Sequence, residues 1–257
     1  IIMDGGSTDE SVEIIEKYAP WIDYWVSEED EGQSHAINKG LEVCTGEIWN
    51  WINSDDFLLP GALRAIGENM KDNDTLLGKA WIKQGGKYVT GETKKFNFED
   101  LIKGFRGGTF TQQAVWLKRK NVMEVGKIDP TINLSMDRDL YVRYTSNFES
   151  KTKTDNYLAV FRIYKESKTG GGLDKFEKDH IRIINKTLPK IKSRSLKKEC
   201  KIVINKINLK MSIDKILSDK KKSKSSKLAL IARSFLKYPV FSMARYTLGA
   251  ARKVLNR

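Results

Sequence analysis

The sequence predicts an α/β domain with a largely parallel sheet, followed by a basic helical extension. Short apolar runs alternate with helical patterns up to about Tyr164, the alternation from which such domains are built. One apolar run breaks off into two adjacent carboxylates, at the kind of strand end where open α/β sheets bind ligands. Beyond Gly170-Gly171-Gly172 the strands stop and lysine dominates. The expected organisation is a first domain over residues 1–169 and a helical region over residues 170–257.

Taken in order, Ile1 to Met3 closes a strand, and Ser7 or Thr8 is placed to cap a helix carrying Val12, Ile14, Ile15 and Tyr18. A second strand spans about Ile22 to Val26. Gln33 to Val43 reads as a helix ended by Thr45-Gly46, and Glu47 to Ile52 as an apolar strand running into Asn53-Ser54-Asp55-Asp56. Pro60 falls at the first turn of the next helix. Leu77 to Val89 predicts a hairpin turning at Gly85-Gly86, while Gln113 to Leu117 and Tyr157 to Tyr164 supply further strands.

At 257 residues and 40% hydrophobic content, the chain has room for a real core and an appendage. The net charge of +13 points to a polyanionic partner: nucleic acid, an anionic membrane surface or a phosphorylated substrate. Cys44 and Cys200 lack C-x-x-C spacing, so neither a disulfide framework nor a zinc site is indicated, and a reducing, cytoplasmic setting is expected. No apolar run reaches the roughly 18 residues of a membrane span, and no signal peptide opens the chain. Ile-Ile-Met reads as the end of a buried strand, so residues are expected ahead of it.

Three acidic sites carry the chemistry. Asp55 and Asp56 follow a strand that is apolar through Trp49, Trp51 and Ile52; two carboxylates there can hold Mg²⁺ or Mn²⁺ and leave positions for water and substrate phosphates. A polar turn capping the Pro60 helix is the alternative. Asp4 ends another apolar strand before Gly5-Gly6-Ser7-Thr8-Asp9, where the glycines allow close backbone approach and the carboxylate suits an imide N–H. An Asx turn explains that loop equally well. Asp137 and Asp139, within Ser135-Met136-Asp137-Arg138-Asp139-Leu140, open a helix, where capping alone is a sufficient reason for a carboxylate.

As an ordered set these sites resemble the family 2 glycosyltransferases of the GT-A fold, and the resemblance runs from Ile1 to about Thr169. It includes Ile-Ile-Met-Asp-Gly-Gly-Ser-Thr-Asp, the stretch Gly32 to Gly40 with His35 and Asn38, Gly46-Glu47, and Asn53-Ser54-Asp55-Asp56. Gln112-Gln113, Val125-Gly126, Met136 to Leu140 with Arg143, and Glu166-Ser167-Lys168-Thr169 complete it. The resemblance implies a Rossmann-like, mixed but mainly parallel sheet flanked by helices. It implies that Asp4 accepts a hydrogen bond from the donor base, that Asp55 lies near the ribose, and that Asn38 belongs to the nucleotide-sugar site. Asp56 would ligate the divalent metal, and Asp137 would be the base of an inverting transfer. The implied donor is a UDP- or dTDP-sugar. The implied acceptor is a glycan or lipid-linked hydroxyl in cell-surface polysaccharide or glycolipid synthesis. Members normally begin with a strand and loop of the Pro-Thr-Tyr-Asn type, which this sequence lacks. His35 stands where many relatives have Asp and reads as a surface helix residue; His180 reads as structural.

In the tail, Lys190 to Lys227 holds fourteen Lys/Arg against three acids. Two apolar stripes follow at helical spacing, Leu228, Ile231, Ala232, Phe235 and Leu236, then Phe241, Ala244, Leu248, Ala251 and Leu255. They are expected either to lie on an anionic membrane surface, at the inner face of the cell membrane, or to pack on protein. A nucleic-acid-binding protein is disfavoured, because basic residues crowd the tail while aromatics spread over the first domain. A catalytically silent relative acting as a binding module stays open.

Overall fold

A computed structural model describes residues 1–104, 110–165, 167–168 and 173–256. Glu166, Thr169 and the three glycines at 170–172, which figured in the sequence reading, lie outside the described residues. The chain forms two compact units, Ile1–Leu101 with Gly107–Gly172, and Ile102–Arg106 with Leu173–Arg257.

The first unit is α/β, as predicted. Strand β1 (Ile2–Asp4) pairs in parallel with β2 (Trp25–Ser27) across helix α1 (Ser11–Tyr18). Helix α2 (Gln33–Val43) leads to the two-residue strand β3 (Ile48–Trp49), and β4 (Phe57–Leu58) precedes helix α3 (Ala62–Met70). Next come β5 (Thr75–Gln84), β6 (Lys87–Glu92), α4 (Phe98–Lys103), β7 (Val115–Lys118) and α5 (Arg119–Glu124). Helix α6 (Met136–Thr145) and the long strand β8 (Lys151–Ile163) complete the series.

The larger sheet has the order β3-β7-β5-β8-β4, with β6 also paired to β5. Its pairings are less parallel than the sequence reading held. Among the described residues β5–β8 is its one parallel pairing, because the β5–β6 hairpin and the returning strands β4 and β7 reverse direction. That hairpin turns where predicted, and Gly85 (φ 55°) and Gly86 (φ 78°) supply the two positive φ angles a tight two-residue turn requires.

Three predicted boundaries move. Helix α1 starts at Ser11, with Asp9 accepting from the Ser11 N–H at 3.0 Å, because the Ser7 hydroxyl is already bound to Asp4. Helix α3 begins at Ala62 rather than around Pro60, with left-handed Gly61 (φ 80°) at its entry. The apolar run from Glu47 to Ile52 pairs only over Ile48 and Trp49.

Ala62, Ile66 and Met70 of α3 pack on Leu76, Trp116 and Leu158, buried residues of β5, β7 and β8. Each large side chain so buried contributes about 1.5–3 kcal/mol. Gly78 belongs to this arrangement: a Cβ there would overlap the Leu158 side chain. The β5–β8 register shifts between Leu77 and Ala80, so the bulge seats Leu158 against the backbone.

The second unit contains helices α7 (Glu177–Thr187), α8 (Arg194–Ser218), α9 (Lys224–Lys237) and α10 (Ala244–Leu255). Its core joins Leu209, Ile213 and Ile216 of α8 to Ile231 of α9 and Ala250 and Val254 of α10. The Lys210 ammonium is buried at 4% exposure and meets Glu177 at 3.0 Å and Asp214 at 2.8 Å; the Tyr246 hydroxyl also reaches Asp214. His180 is structural, with Nε2 3.0 Å from the Ile102 carbonyl. Among the described residues no helix is long and apolar enough to cross a membrane.

Candidate functional site

The exit of β3 is built by side-chain amides. Gln112 donates to Asn50 Oδ1 and to the Trp51 carbonyl, each at 2.7 Å, so the chain leaves the sheet in a fixed direction. The Asp56 N–H then closes a turn on the Asn53 carbonyl at 2.9 Å.

Asp56 is 7% exposed. Its Oδ2 accepts from Gln113 Nε2 at 2.6 Å, and its Oδ1 accepts from the Arg162 backbone N–H at 2.8 Å. Burial raises its pKa above the ordinary carboxylate range; the bonds from Arg162 and Gln113 oppose that shift, and the charge of Asp55 adds to it. Asp55 is half-buried. Arg162 Nε donates to its carbonyl, and the Tyr164 hydroxyl bonds its carboxylate, which raises the phenol pKa. The end of β8 therefore holds both members of the acidic pair.

A polar run continues from this pair. Lys168 Nζ donates to Gln33 Oε1 and Gln33 Nε2 donates to Asn53 Oδ1, both at 2.6 Å. The next residue of α2, Ser34, donates to Met136 Sδ at 3.1 Å. The first turn of α2 thus touches both the Asn53–Asp56 loop and the start of α6.

Asp137 is the second residue of α6 and is half-buried. Its Oδ1 accepts from the Arg138 N–H at 2.7 Å. Burial raises its pKa, against the opposing charges of Arg138 and Lys168. Arg138 points away into the interior, donating to the Leu101 carbonyl at 2.7 Å with its guanidinium 5.6 Å from the Phe110 ring centre. Asp139 has a different task. It is 3% exposed and pairs with Arg143 at 2.8 Å, and that guanidinium also donates to the Val125 and Lys127 carbonyls at 2.6 and 2.7 Å. Asp139 braces α6 against the turn after α5; no side chain caps the helix.

Two residues that the resemblance assigns to the nucleotide-sugar site also hold local structure. Asp4 accepts from Ser7 Oγ at 2.5 Å, Ser27 Oγ at 2.6 Å, the Ser7 N–H at 2.9 Å and the Gly6 N–H at 3.1 Å. Three of these bonds converge on Oδ2 and one on Oδ1. The hydroxyls of Ser27 and Ser7 lead in holding its pKa down at about 2. Asn38 exchanges two hydrogen bonds with the Ile128 backbone, each 2.9 Å, and so staples α2 to the segment after α5.

Gln33, Gln113, Arg162, Tyr164 and Lys168 had no assigned role in the sequence reading. Gln33, Gln113 and Lys168 lay inside the resembling stretches, but Arg162 and Tyr164 carry no local signal.

Among the described residues no group of three or more His, Cys, Asp or Glu side chains is placed to hold a metal ion. A magnesium-type ion needs only one or two protein carboxylates, with water and substrate phosphates filling the rest. Ligating carboxylates are typically themselves hydrogen-bonded. The hard oxygens of Asp55 and the braced, desolvated carboxylate of Asp56 fit such an ion.

The sequence profile described as Glycosyl transferase family 2 matches residues 1–127. Residues 1–127 form a glycosyl transferase family 2 domain. An uncharacterized glycosyltransferase of Mycobacterium tuberculosis is 36% identical over 146 residues, which cover 56% of this chain and 55% of the relative. A PGL/p-HBAD biosynthesis glycosyltransferase of Mycobacterium bovis is 24% identical over 159 residues, 57% of this chain and 58% of the relative. This chain spans a little over half the length of these curated relatives. Among solved structures, S. aureus TarS 1–349 in complex with UDP-GlcNAc aligns with a TM-score of 0.60 at 13% identity, covering 98% of this chain and 80% of that one. That likeness establishes the GT-A fold. Asn53–Asp56 lies inside the matched span and Asp137 beyond it.

Proposed function

We propose that this chain transfers a sugar from a UDP-sugar to an acceptor hydroxyl with inversion at the anomeric carbon. The observation that carries the reading is the polar run from Lys168 through Gln33 and Asn53 to Asp56, which links the acidic pair to the α2 turn that touches the start of α6. TarS structures with UDP-GlcNAc and UDP support a uridine nucleotide donor.

In this reading Asp56 ligates Mg²⁺ or Mn²⁺ and Asp55 lies by the ribose. The cation supplies Lewis-acid neutralisation of the pyrophosphate leaving group. Lys168, placed by Gln33, adds positive charge on the same side. Asp137 takes the proton as the acceptor oxygen forms its bond to the anomeric carbon, and the departing C–O electron pair stays on the nucleoside diphosphate. Burial that lifts the Asp137 pKa makes it a stronger base than an exposed carboxylate. Attack from the face opposite the leaving group inverts the centre, by the geometric logic that separates inverting from retaining glycosidases. A glycan or lipid-linked acceptor of cell-surface polysaccharide or glycolipid synthesis completes the proposal.

Calorimetric titration of UDP-GlcNAc and UDP with and without Mn²⁺, together with NMR of the product anomer, tests it. Metal-dependent nucleotide binding and an inverted product are expected. Binding indifferent to Mn²⁺ would remove the role given to Asp56, and a retained anomer would remove that of Asp137.

A further inference from the structure

The helical unit sorts its two apolar stripes differently. Leu228, Ile231 and Phe235 of α9 turn inward onto the core shared with α8. On α10 the inward face is Tyr246, Ala250 and Val254, which leaves a second stripe outside. Leu248 is 63% exposed and Leu255 57% exposed, and Arg245 and Arg252 are exposed beside them. Positions 245, 248, 252 and 255 advance by three, four and three residues, so arginine and leucine alternate along one line of the helix.

We infer that this Arg245-Leu248-Arg252-Leu255 line is the surface by which the protein sits on an anionic lipid bilayer. Three arguments select that occupant. Residues 220–257 contain eleven Lys/Arg and no Asp or Glu, so the partner is negatively charged. A second copy docking through the same line would bring four arginines into one seam with no acidic residue from 220–257 to pair them. A nucleic-acid backbone would use the arginines and leave the leucines without a role, whereas an interface admits leucine below the headgroups and arginine among them. The lysine-rich helix α8 is excluded as the main contact, since its apolar face is already taken up by the core.

Co-sedimentation of the full chain with vesicles of 70:30 phosphatidylcholine and phosphatidylglycerol, against pure phosphatidylcholine, tests this. Binding to the anionic vesicles alone is expected, weakening as salt rises. Leu248→Ser with Leu255→Ser, and separately Arg245→Gln with Arg252→Gln, should each weaken it about tenfold or more. Lys198→Gln with Lys201→Gln on α8 removes equal charge from another exposed surface and should weaken it far less. Circular-dichroism melting and light scattering on every variant check folding and oligomeric state. The inference fails if the intact chain ignores anionic vesicles, or if the α8 pair matters as much as the α10 pairs. It fails too if the leucine pair changes only self-association, or if a duplex oligonucleotide is held tightly while vesicles are not.

Discussion

At Asp4 four donors crowd one carboxylate and hold its pKa down at about 2, whereas at Asp137 a similar group is half-buried, receives one backbone N–H, and is pushed upward by desolvation. The first arrangement stabilises the anion as a hydrogen-bond acceptor. The second keeps the anion poorly solvated and therefore more basic. The two carboxylates differ in the sign of their shift, a difference that position at a strand or helix end does not reveal. Asp56 combines the two: it is held by Gln113 and Arg162, yet burial still raises it.

The largest test of this contrast is Asp137→Asn. It should cost at least about 10²-fold in kcat while nucleotide affinity and Tm hold, because the amide keeps the shape and sheds a poorly solvated charge. In the unaltered protein the acid limb of activity should lie above the ordinary carboxylate range, since the base works only when ionised. Stopped-rate assays across pH check both, and full activity in the mutant would break the contrast.

Asp56→Asn comes next. Mn²⁺-dependent nucleotide affinity should fall by about tenfold or more while the fold survives, as seen by calorimetry and melting. Asp139→Asn should act the other way, losing about 1.5–3 kcal/mol of stability through the Arg143 brace with little change in kcat per folded molecule. A catalytic defect in Asp139→Asn at unchanged Tm would reverse the assignment of the two neighbours.

The smallest effect is expected at Asp4. Its folded-state pKa lies below the unfolded value, so its contribution to stability is present above about pH 4 and is lost as pH falls toward 2. Asp137, raised in the folded state, contributes with the opposite sign: its share is present at acid pH and is lost as pH rises through its folded pKa. Melting curves between pH 2 and 6 for Asp4→Asn and Asp137→Asn should diverge in these opposite directions.

Much of this was legible in the sequence because it is local. The apolar run breaking at Asn53 announces a strand end, Gly85-Gly86 announces a tight turn, and Asp137 and Asp139, two apart on a helix, cannot share a face. What escaped is non-local. Arg162 reaches Asp56 across 106 positions and Ser27 reaches Asp4 across 23, and no spacing rule foretells which donors a sheet will bring to a carboxylate. The Asn38 staple escaped for the same reason, its partner Ile128 lying 90 positions away. In the tail the helical period placed Leu228, Ile231 and Phe235 on the face the core takes, but Ala232 and Leu236 are exposed, and on α10 the core takes Tyr246, Ala250 and Val254 instead of Leu248 and Leu255, a choice set by how α8, α9 and α10 pack together.

The buried Lys210 ties Glu177 of α7 to Asp214 of α8, and Tyr246 of α10 joins the same cluster. Drawing α7 away from α8 would break the buried Glu177–Lys210 pair, at a cost of about 3–5 kcal/mol. These two helices therefore have no inexpensive separated state. Amide hydrogens along α7 and α8 should exchange together under denaturant, as one cooperative block, and Lys210→Met with Glu177→Gln should let them exchange separately.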